Sequence, residues 1–449
     1  MKNSRVPEVQ KSVYASQQSC ATQLESISVV QLKNRTSGER AVPPSPLIYS
    51  PATLRKAAEG VRKDVEKVPV FDPIFYTNKV PMNEHDAKRR PKWGTKRTKS
   101  NCEAERVYRV RAREVGEVDS VQRLIIRQVK YCGSGAFSDV YIGYVQKESS
   151  PEKKATSVAI KKIWPDTSRE EEQIVVQRRF NHQNILKLLY YYVCVHPKTK
   201  LTVWSMILEL MPSTVSKEHQ TYIERGKVMP EIHIKVWMYQ LFCGLRYLEN
   251  RGFFHRDIKP DNLLVEKESG KLKIADFGSC QKFKMNRAQS TYQVTRYYRA
   301  PELCLKYTKY DPTVDVWSAG CIVVELLTNR ILFPGRNSDD QIKQIIRVLG
   351  TPSVKDLTGC VPGKNVPDSL LQPVIAKRSL LKIMRRYNKN VNETCVNFAR
   401  AILRYDCNRR LRGKAALSHP FFDDLRSSEA RMPSGKPLPP LQFINYEKE

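Results

Sequence analysis

The sequence predicts an α+β protein of two lobes, the first strand-rich and the second helical, behind a disordered N-terminal tail. Three observations predict it. Between about 120 and 212, short β-branched and aromatic runs alternate with turn residues. After Pro230, apolar residues recur at helical spacing. Residues 1–105 are dominated by Pro, Ser, Lys and Arg and show no sustained apolar period. The expected organisation is a basic tail over 1–105, a strand-rich lobe over 120–212, a helical lobe over 213–425 and a C-terminal extension over 426–449.

In the tail, Val42-Pro43-Pro44-Ser45-Pro46 cannot propagate a helix. Lys88-Arg89-Arg90-Pro91-Lys92 and Lys96-Arg97-Thr98-Lys99 form two basic clusters, read either as a nuclear import signal or acidic-surface patch, or as a solvated linker. Leu124-Ile125-Ile126 and Val140-Tyr141-Ile142-Gly143-Tyr144 flank a glycine turn and predict a hairpin, with Val158-Ala159-Ile160 as a further strand. Ser168-Arg169-Glu170-Glu171 fits a capping box that opens a helix, with Ile174, Val176 and Phe180 on its buried stripe. Leu201-Thr202-Val203 and Met206-Ile207-Leu208-Glu209 are strand-like. Pro230 suits a first helical turn, Ile234, Met238, Leu241, Leu245 and Leu248 follow at helical spacing, and Gly252 ends the run. Later helices are predicted over Val314–Thr328, Asp339–Leu349 and Glu393–Leu403.

The formal net charge is +31 over 449 residues, which favours phosphate-rich or acidic partners through long-range attraction. Eleven cysteines are scattered singly, with no C-x-x-C pair, which argues against a disulfide framework or a zinc site and for a reducing compartment. No apolar stretch reaches the length of a membrane span, and the polar N-terminus carries no secretory signal. The expected location is cytoplasmic or nuclear, without membrane insertion.

Three motifs carry chemistry. His255-Arg256-Asp257-Ile258-Lys259-Pro260-Asp261-Asn262 is followed by Asp276-Phe277-Gly278 and then by Ala300-Pro301-Glu302. Asp257 can accept a hydroxyl proton, Lys259 can neutralise a phosphoryl group in transfer, and Asn262 and Asp276 offer the oxygen ligands that suit magnesium. Gly133-Ser134-Gly135-Ala136-Phe137-Ser138 lies between two predicted strands, where glycines let backbone N–H groups approach phosphates. Lys161 follows on Val158-Ala159-Ile160 and would reach the α- and β-phosphates, while Lys162 beside it reads as a solvated strand lysine. One such motif alone would be weak; the ordered set is not.

These motifs resemble the eukaryotic protein kinase family, which implies a bilobal fold and the use of ATP and Mg2+. Tyr297-Tyr298-Arg299-Ala300-Pro301-Glu302 and the run from Phe333-Pro334-Gly335 to Leu349-Gly350-Thr351-Pro352 resemble the CMGC branch of cyclin-dependent, mitogen-activated and glycogen synthase kinases. Met238-Tyr239-Gln240-Leu241-Phe242, Asp276-Phe277-Gly278-Ser279, Asp315-Val316-Trp317-Ser318-Ala319-Gly320 and His419-Pro420-Phe421-Phe422-Asp423 are most similar to glycogen synthase kinase-3, the shaggy type. The resemblance spans roughly 120–445 and implies a serine/threonine kinase acting on protein substrates. By position it puts Gly133, Gly135, Val140, Ala159, Lys161 and Leu264 around ATP, Leu208 as gatekeeper, and backbone groups of Glu209 and Met211 on the adenine. It implies that Glu302 pairs with Arg410, that Tyr292 is an activation-loop phosphorylation site whose phosphate Arg296 or Arg299 would meet, and that Arg299 favours proline after the target.

The chain departs from the pattern at several positions. Ser138 replaces the third loop glycine. The helix position whose glutamate pairs with the strand lysine in the family is Gln173; Glu172 lies one residue away, about 100° around a helix. Either the helix turns to bring Glu172 to Lys161, or an amide stands in. Of three basic positions that bind a priming phosphate in the family, only Arg256 is basic; the others hold Glu172 and Gln281. A carboxylate in place of a cation repels a phosphate, so weakened primed-substrate recognition is expected. Val361–Ser379 lacks the family's scaffold-docking aromatics, so a scaffold partner stays open. Two other readings compete with an active kinase: a low-activity kinase-fold scaffold that binds partners through its basic surface, and a nucleic-acid-binding protein, which rests on charge alone and explains none of the motifs.

Overall fold

In the computed structural model the described residues are 74–75, 106–116, 120–134, 138–150, 152–163, 170–195, 202–284, 288–291, 294–441 and 443. The chain divides into two compact units, Met1–Asp166 with Tyr190–Met206, and Thr167–Leu189 with Ile207–Glu449. The basic clusters of the tail, the serine of the predicted capping box, Gly135 and Tyr292 lie outside the described residues.

The first unit is built on a closed sheet. Its strands are β1 (Ile74–Phe75), β2 (Arg106–Glu114), β3 (Val121–Ser134), β4 (Ser138–Lys147) and β5 (Thr156–Ile163), with most of β6 (Leu188–Val195) and β7 (Thr202–Glu209). β2 pairs antiparallel with β3, β3 with β4 and β4 with β5; the order then runs β5–β7–β6, and β6 returns to Arg113 and Glu114 of β2. Closure leaves few strand edges open to other chains. Two-residue alternation produces it: Tyr108, Val110 and Ala112 of β2 and Leu124 and Ile126 of β3 are buried, while Arg109, Arg111, Arg123 and Arg127 point out and are exposed. β2 begins at 106, ahead of the lobe expected from 120. The predicted strands at 201–203 and 206–209 fall on one continuous strand, Thr202–Glu209, with Leu201 outside the described residues.

Lys162 differs from its expected role. Its side chain turns to the buried side of the sheet, where Nζ donates to Gln128 Oε1 at 2.8 Å and sits 5.3 Å and 5.0 Å from the ring centres of Tyr108 and Tyr141. Adjacent residues of a strand face opposite ways, so an inward Lys162 sets Lys161 outward, on the side of Val140 and Ala159.

The second unit opens with α1 (Glu170–Gln177) and continues through β8 (Ser213–Thr214), α2 (Val215–Glu224), α3 (Glu231–Asn250), β9 (Phe253–Phe254), β10 (Leu263–Glu266), β11 (Lys271–Ile274) and β12 (Gln281–Lys282). It closes with α4 (Pro301–Cys304), α5 (Thr313–Thr328), α6 (Ser338–Leu349), α7 (Val354–Cys360), α8 (Leu380–Arg385), α9 (Glu393–Ile402) and α10 (Gly413–Leu417). Helix α3 starts after Pro230 and buries Ile234, Met238, Leu241, Leu245 and Leu248. All sixteen residues of α5 are buried, which fits its near-continuous apolar sequence. Asn337 caps α6 by accepting the Asp340 N–H, Asp339 and Asp340 sit at its positive end, and Gly350 follows at φ 84. The predicted α1 stripe holds for Ile174; Phe180 is buried beyond the helix end.

The C-terminal extension packs back on this core. Met432 is buried and fills the space beside Gly270, where a β-carbon would stand 2.7 Å from its sulfur. The Phe443 ring lies 5.4 Å from that of Tyr239 on α3. Among the described residues no helix is long and apolar enough to cross a membrane.

Candidate active site

The loop His255–Asn262 is held from below by α5. The buried Asp315 carboxylate accepts the His255 N–H at 2.6 Å and the Arg256 N–H at 2.8 Å, one on each oxygen. These bonds pin Arg256 at φ 66, a left-handed conformation that is costly for a residue with a side chain. Burial pushes the Asp315 pKa up, against the pull of His255 and those two N–H groups. His255 is fixed as well. Nε2 donates to the Ala275 carbonyl at 2.9 Å, and Nδ1 accepts the Asp257 N–H at 3.2 Å, which assigns the neutral Nε2–H tautomer.

Asp257 emerges from this loop with its carboxylate oriented by four donors. Oδ2 accepts Lys259 Nζ at 2.8 Å and Asn262 Nδ2 at 3.0 Å; Oδ1 accepts the Thr295 hydroxyl at 2.7 Å and the Thr295 N–H at 3.3 Å. Burial depresses the Lys259 pKa, but the charges of Asp257, Asp261 and Asp276 and the bond to Asp257 outweigh it, so the net shift is upward and the ammonium stays charged. Asn262 also donates to the Asp257 carbonyl at 2.8 Å, which closes the loop on itself.

Asp276 follows β11 at φ 62, ψ 72. It is set by the residues on either side. The Ala275 N–H donates to the Asn262 carbonyl at 2.9 Å, and the Phe277 ring is buried 5.3 Å from Phe180 and 5.0 Å from His255. A β-carbon at Gly278 would stand 3.4 Å from Asp276 Oδ1 and 3.5 Å from Gln173 Oε1, so the Gln173 amide and the Asp276 carboxylate flank the same glycine. Gln173 is buried on α1, and Glu172 is exposed. Of the two orientations left open by the sequence, α1 adopts the one that turns the amide inward.

Arg256 is buried. Its Nε donates to the Ser279 carbonyl at 2.7 Å, and its guanidinium lies over the Phe254 ring. Of the other two positions aligned with a priming-phosphate site, Gln281 is half-buried on β12 and Glu172 is exposed on α1.

The segment 294–302 is clamped by α5 and α6. Arg299 is buried; Nε and Nη2 donate to the Val294 carbonyl at 3.3 Å and 2.8 Å, and Nη1 to Ser338 Oγ at 2.9 Å. The Tyr298 hydroxyl donates to Glu325 at 2.8 Å, and Gln341 donates to the Tyr297 carbonyl at 3.3 Å. Arg296 Nη1 donates to the Arg336 carbonyl at 2.6 Å. Glu302 and Arg410 form a fully buried fork, Nη1 to Oε1 at 2.6 Å and Nη2 to Oε2 at 2.7 Å.

In the first unit, Val140 and Lys161 are directly paired across β4 and β5, and Ala159 shares their face. Gly133 pairs with Val140; a β-carbon there would meet nothing within 4 Å, and its φ is not positive, so neither packing nor backbone requires the glycine. Leu264 on β10, Glu209 and Met211 belong to the second unit. The Glu209 carboxylate accepts the Lys187 N–H at 2.6 Å and pairs with Lys273 at 2.8 Å, and its N–H donates to the Lys187 carbonyl at 3.1 Å, which leaves its own carbonyl for any ligand role.

Thus Asp257, Lys259 and Asn262 meet at one carboxylate. Thr295, Asp315, Ser338 and Gln341 belong to the same framework; Asp315 opens one of the runs that carry the resemblance but has no role assigned by it, and of the others only Thr295, five residues before Ala300-Pro301-Glu302, gives a signal. Among the described residues no group of three His, Cys, Asp or Glu side chains could hold a metal. Asn262 and Asp276 instead supply a few hard oxygen donors. That set fits magnesium, which retains water and phosphate oxygens as its other ligands.

The description "protein kinase domain" matches residues 126–422. The match covers the glycine loop, Lys161, the Asp257 loop, Asp276 and Glu302, and it ends at residue 422. This chain belongs to the protein kinase family.

Proposed function

We propose that this chain is a serine/threonine protein kinase of the glycogen synthase kinase-3 type that transfers the γ-phosphoryl group of MgATP to protein hydroxyls. The observation that carries this reading is the Asp257 carboxylate, aimed by Lys259, Asn262 and Thr295. Asp257 orients the substrate hydroxyl and takes its proton as the new oxygen–phosphorus bond forms and the bond to the ADP oxygen breaks. Lys259, kept cationic by its acidic neighbours, offsets negative charge on the group in transfer. Asn262 and Asp276 would hold magnesium, which when bound neutralises phosphate charge. The residue type and spacing of Gly133, Val140, Ala159, Lys161, Glu209, Met211 and Leu264 support their assignment to ATP.

Arg299 supports selection of proline after the target. With the Val294 carbonyl taken by a guanidinium, a backbone N–H arriving there finds no acceptor, and proline has none to satisfy. Arg299→Lys loses the planar fork. It is expected to reduce the kcat/KM ratio of Ser-Pro over Ser-Ala peptides by roughly tenfold, about one hydrogen bond. An unchanged ratio would remove Arg299 from this role.

Arg256 is engaged by Ser279 and Phe254, and the aligned partners are an acid and an amide. Peptides phosphorylated four residues after the target are expected to be at most a few-fold better than unphosphorylated ones. A large primed preference would overturn this part. If Tyr292 is phosphorylated, Arg296 is the more accessible candidate to meet the phosphate, since Arg299 is buried in its own bonds.

Gln173 favours a second reading, a low-activity kinase-fold scaffold. Charge-assisted hydrogen bonds are about twice as strong as neutral ones. Gln173→Glu is therefore expected to raise kcat/KM for ATP several-fold. No gain, together with nucleotide binding but no transfer in the parent protein, would support the scaffold.

A further inference from the structure

Helix α8 presents a cationic face. Its turn continues to Asn388, whose N–H donates to the Met384 carbonyl at 3.0 Å. Lys382, Arg385, Arg386 and Lys389 follow at i, i+3, i+4 and i+7, which on a helical path sets them within an arc of about 100°. All four are exposed, and Leu380 and Met384 are buried on the opposite side. Lys377 and Arg378 extend the face ahead of the helix and are exposed as well. Residues 369–392 hold these six cations and no acid. Among the described residues none of the six is in an ion pair. Arg385 donates to the neutral Val391 carbonyl at 2.8 Å, and Glu393, the next acid along the chain, pairs with Arg400 at 3.7 Å. Like charges four residues apart work against a helix, as Lys382 with Arg386 and Arg385 with Lys389 do here.

We propose that this face docks acidic segments of protein substrates, an inference that rests on the reading of the chain as an active protein kinase. The face and the catalytic loop stand at opposite ends of α5. Asp315, in its first turn, holds the His255 and Arg256 N–H groups; Leu327, twelve residues on, accepts Asn388 Nδ2 at its carbonyl at 2.8 Å. The helix between them is about 18 Å long. A substrate held at α8 by an acidic run therefore presents its hydroxyl to Asp257 only across a connecting segment of at least about six extended residues. Within that reach, tethering raises the local concentration of the target. Other polyanions fit this face less well. A nucleic-acid strand gains from stacking aromatics, and Tyr387, the one exposed aromatic described in this stretch, has the Arg330 guanidinium 5.2 Å from its ring centre. A bilayer takes up apolar side chains; those of α8 are packed on the core, and only Val374 and Ile375, ahead of the helix, are exposed.

The test uses the full-length protein and fluorescent peptides in which a Ser-Pro target is joined to a run of aspartates by a Gly-Ser linker of about two or about twenty residues, the longer spanning about 25 Å on average. In fluorescence anisotropy without nucleotide, both are expected to bind more tightly than a peptide whose aspartates are replaced by serines, and to be released by salt. Lys382→Glu with Lys389→Glu reverses two charges and is expected to weaken that binding at least about tenfold. The new carboxylates stand four residues from Arg386 and Arg385, so the melting temperature is expected to hold or rise, which separates lost docking from lost folding. In turnover, only the long-linked peptide is expected to gain, as a several-fold lower KM at unchanged kcat. The double variant is expected to lose that gain and to keep the parent rate on the serine-run peptide. Equal binding by parent and double variant, or the same gain from both linkers, would overturn the proposal. So would tighter binding, dependent on Lys382 and Lys389, of a single-stranded RNA oligonucleotide or of phosphatidylserine vesicles than of the acidic peptide. No turnover of any peptide would count against the kinase reading and not against docking, which the anisotropy comparison decides alone.

Discussion

Asp257→Asn is expected to lower kcat by about two to four orders of magnitude, the range that a positioned general base contributes. The substitution is nearly isosteric, so its effect isolates one property. The four donors around the carboxylate, from Lys259, Asn262 and Thr295, are arranged for an acceptor. An amide offers one oxygen and one NH2 group. It cannot satisfy all four, and it cannot take a proton from a hydroxyl. Lys259 would also lose the charge that does most to offset its desolvation, and its pKa would fall. Nucleotide affinity should change little by comparison, because the phosphate-facing assignments lie on other residues. Steady-state kinetics with a peptide substrate, beside a nucleotide-binding measurement, would check both halves. A variant that turns over at the parent rate would exclude Asp257 as the base.

Arg410→Ala is expected to cost about 3–5 kcal/mol of stability, the usual result of stranding one partner of a buried ion pair. All five N–H donors of this guanidinium are used. Nη1 serves Glu302 and the Thr313 carbonyl, Nη2 serves Glu302 and the Tyr405 carbonyl, and Nε serves the Arg404 carbonyl. The group also lies 5.1 Å from the Trp317 ring centre. Alanine would leave the Glu302 carboxylate buried without a countercharge and open a void beside Trp317. Glu302→Gln keeps the shape and removes only the charge, so it should cost less than Arg410→Ala. Denaturant unfolding of both variants measures the difference. Equal, small losses would mean that water enters and that the fork is not a structural pin.

Legibility in the sequence followed the range of the interactions. Helices α3, α5, α6 and α9 were readable because apolar positions recur along them, and α3 is in addition bounded by Pro230 and Gly252. The carboxylates Asp257 and Asp276 and the amide Asn262 were readable because the motifs keep them at short, fixed spacing. β2 was not read, although Arg-Val-Tyr-Arg-Val-Arg-Ala-Arg alternates with period two, because four arginines in nine residues resemble the basic tail before it. Lys162 was misread for a related reason: the barrel interior that takes it in is assembled from Tyr108, Gln128 and Tyr141, far apart in the chain. The same holds for Thr295, whose meeting with Asp257 spans 38 residues. The bonds of Arg299 to Ser338 and of Arg256 to Ser279 likewise exist only once the chain has folded.

The most direct test is transfer of label from γ-labelled ATP, with magnesium, to serine- and threonine-containing peptides by the purified protein, beside Asp257→Asn. The expected result is phosphoserine or phosphothreonine formed by the parent protein and nearly none by the variant. Magnesium-dependent nucleotide binding without transfer to any peptide, or equal transfer by the variant, would contradict a phosphotransferase built on Asp257.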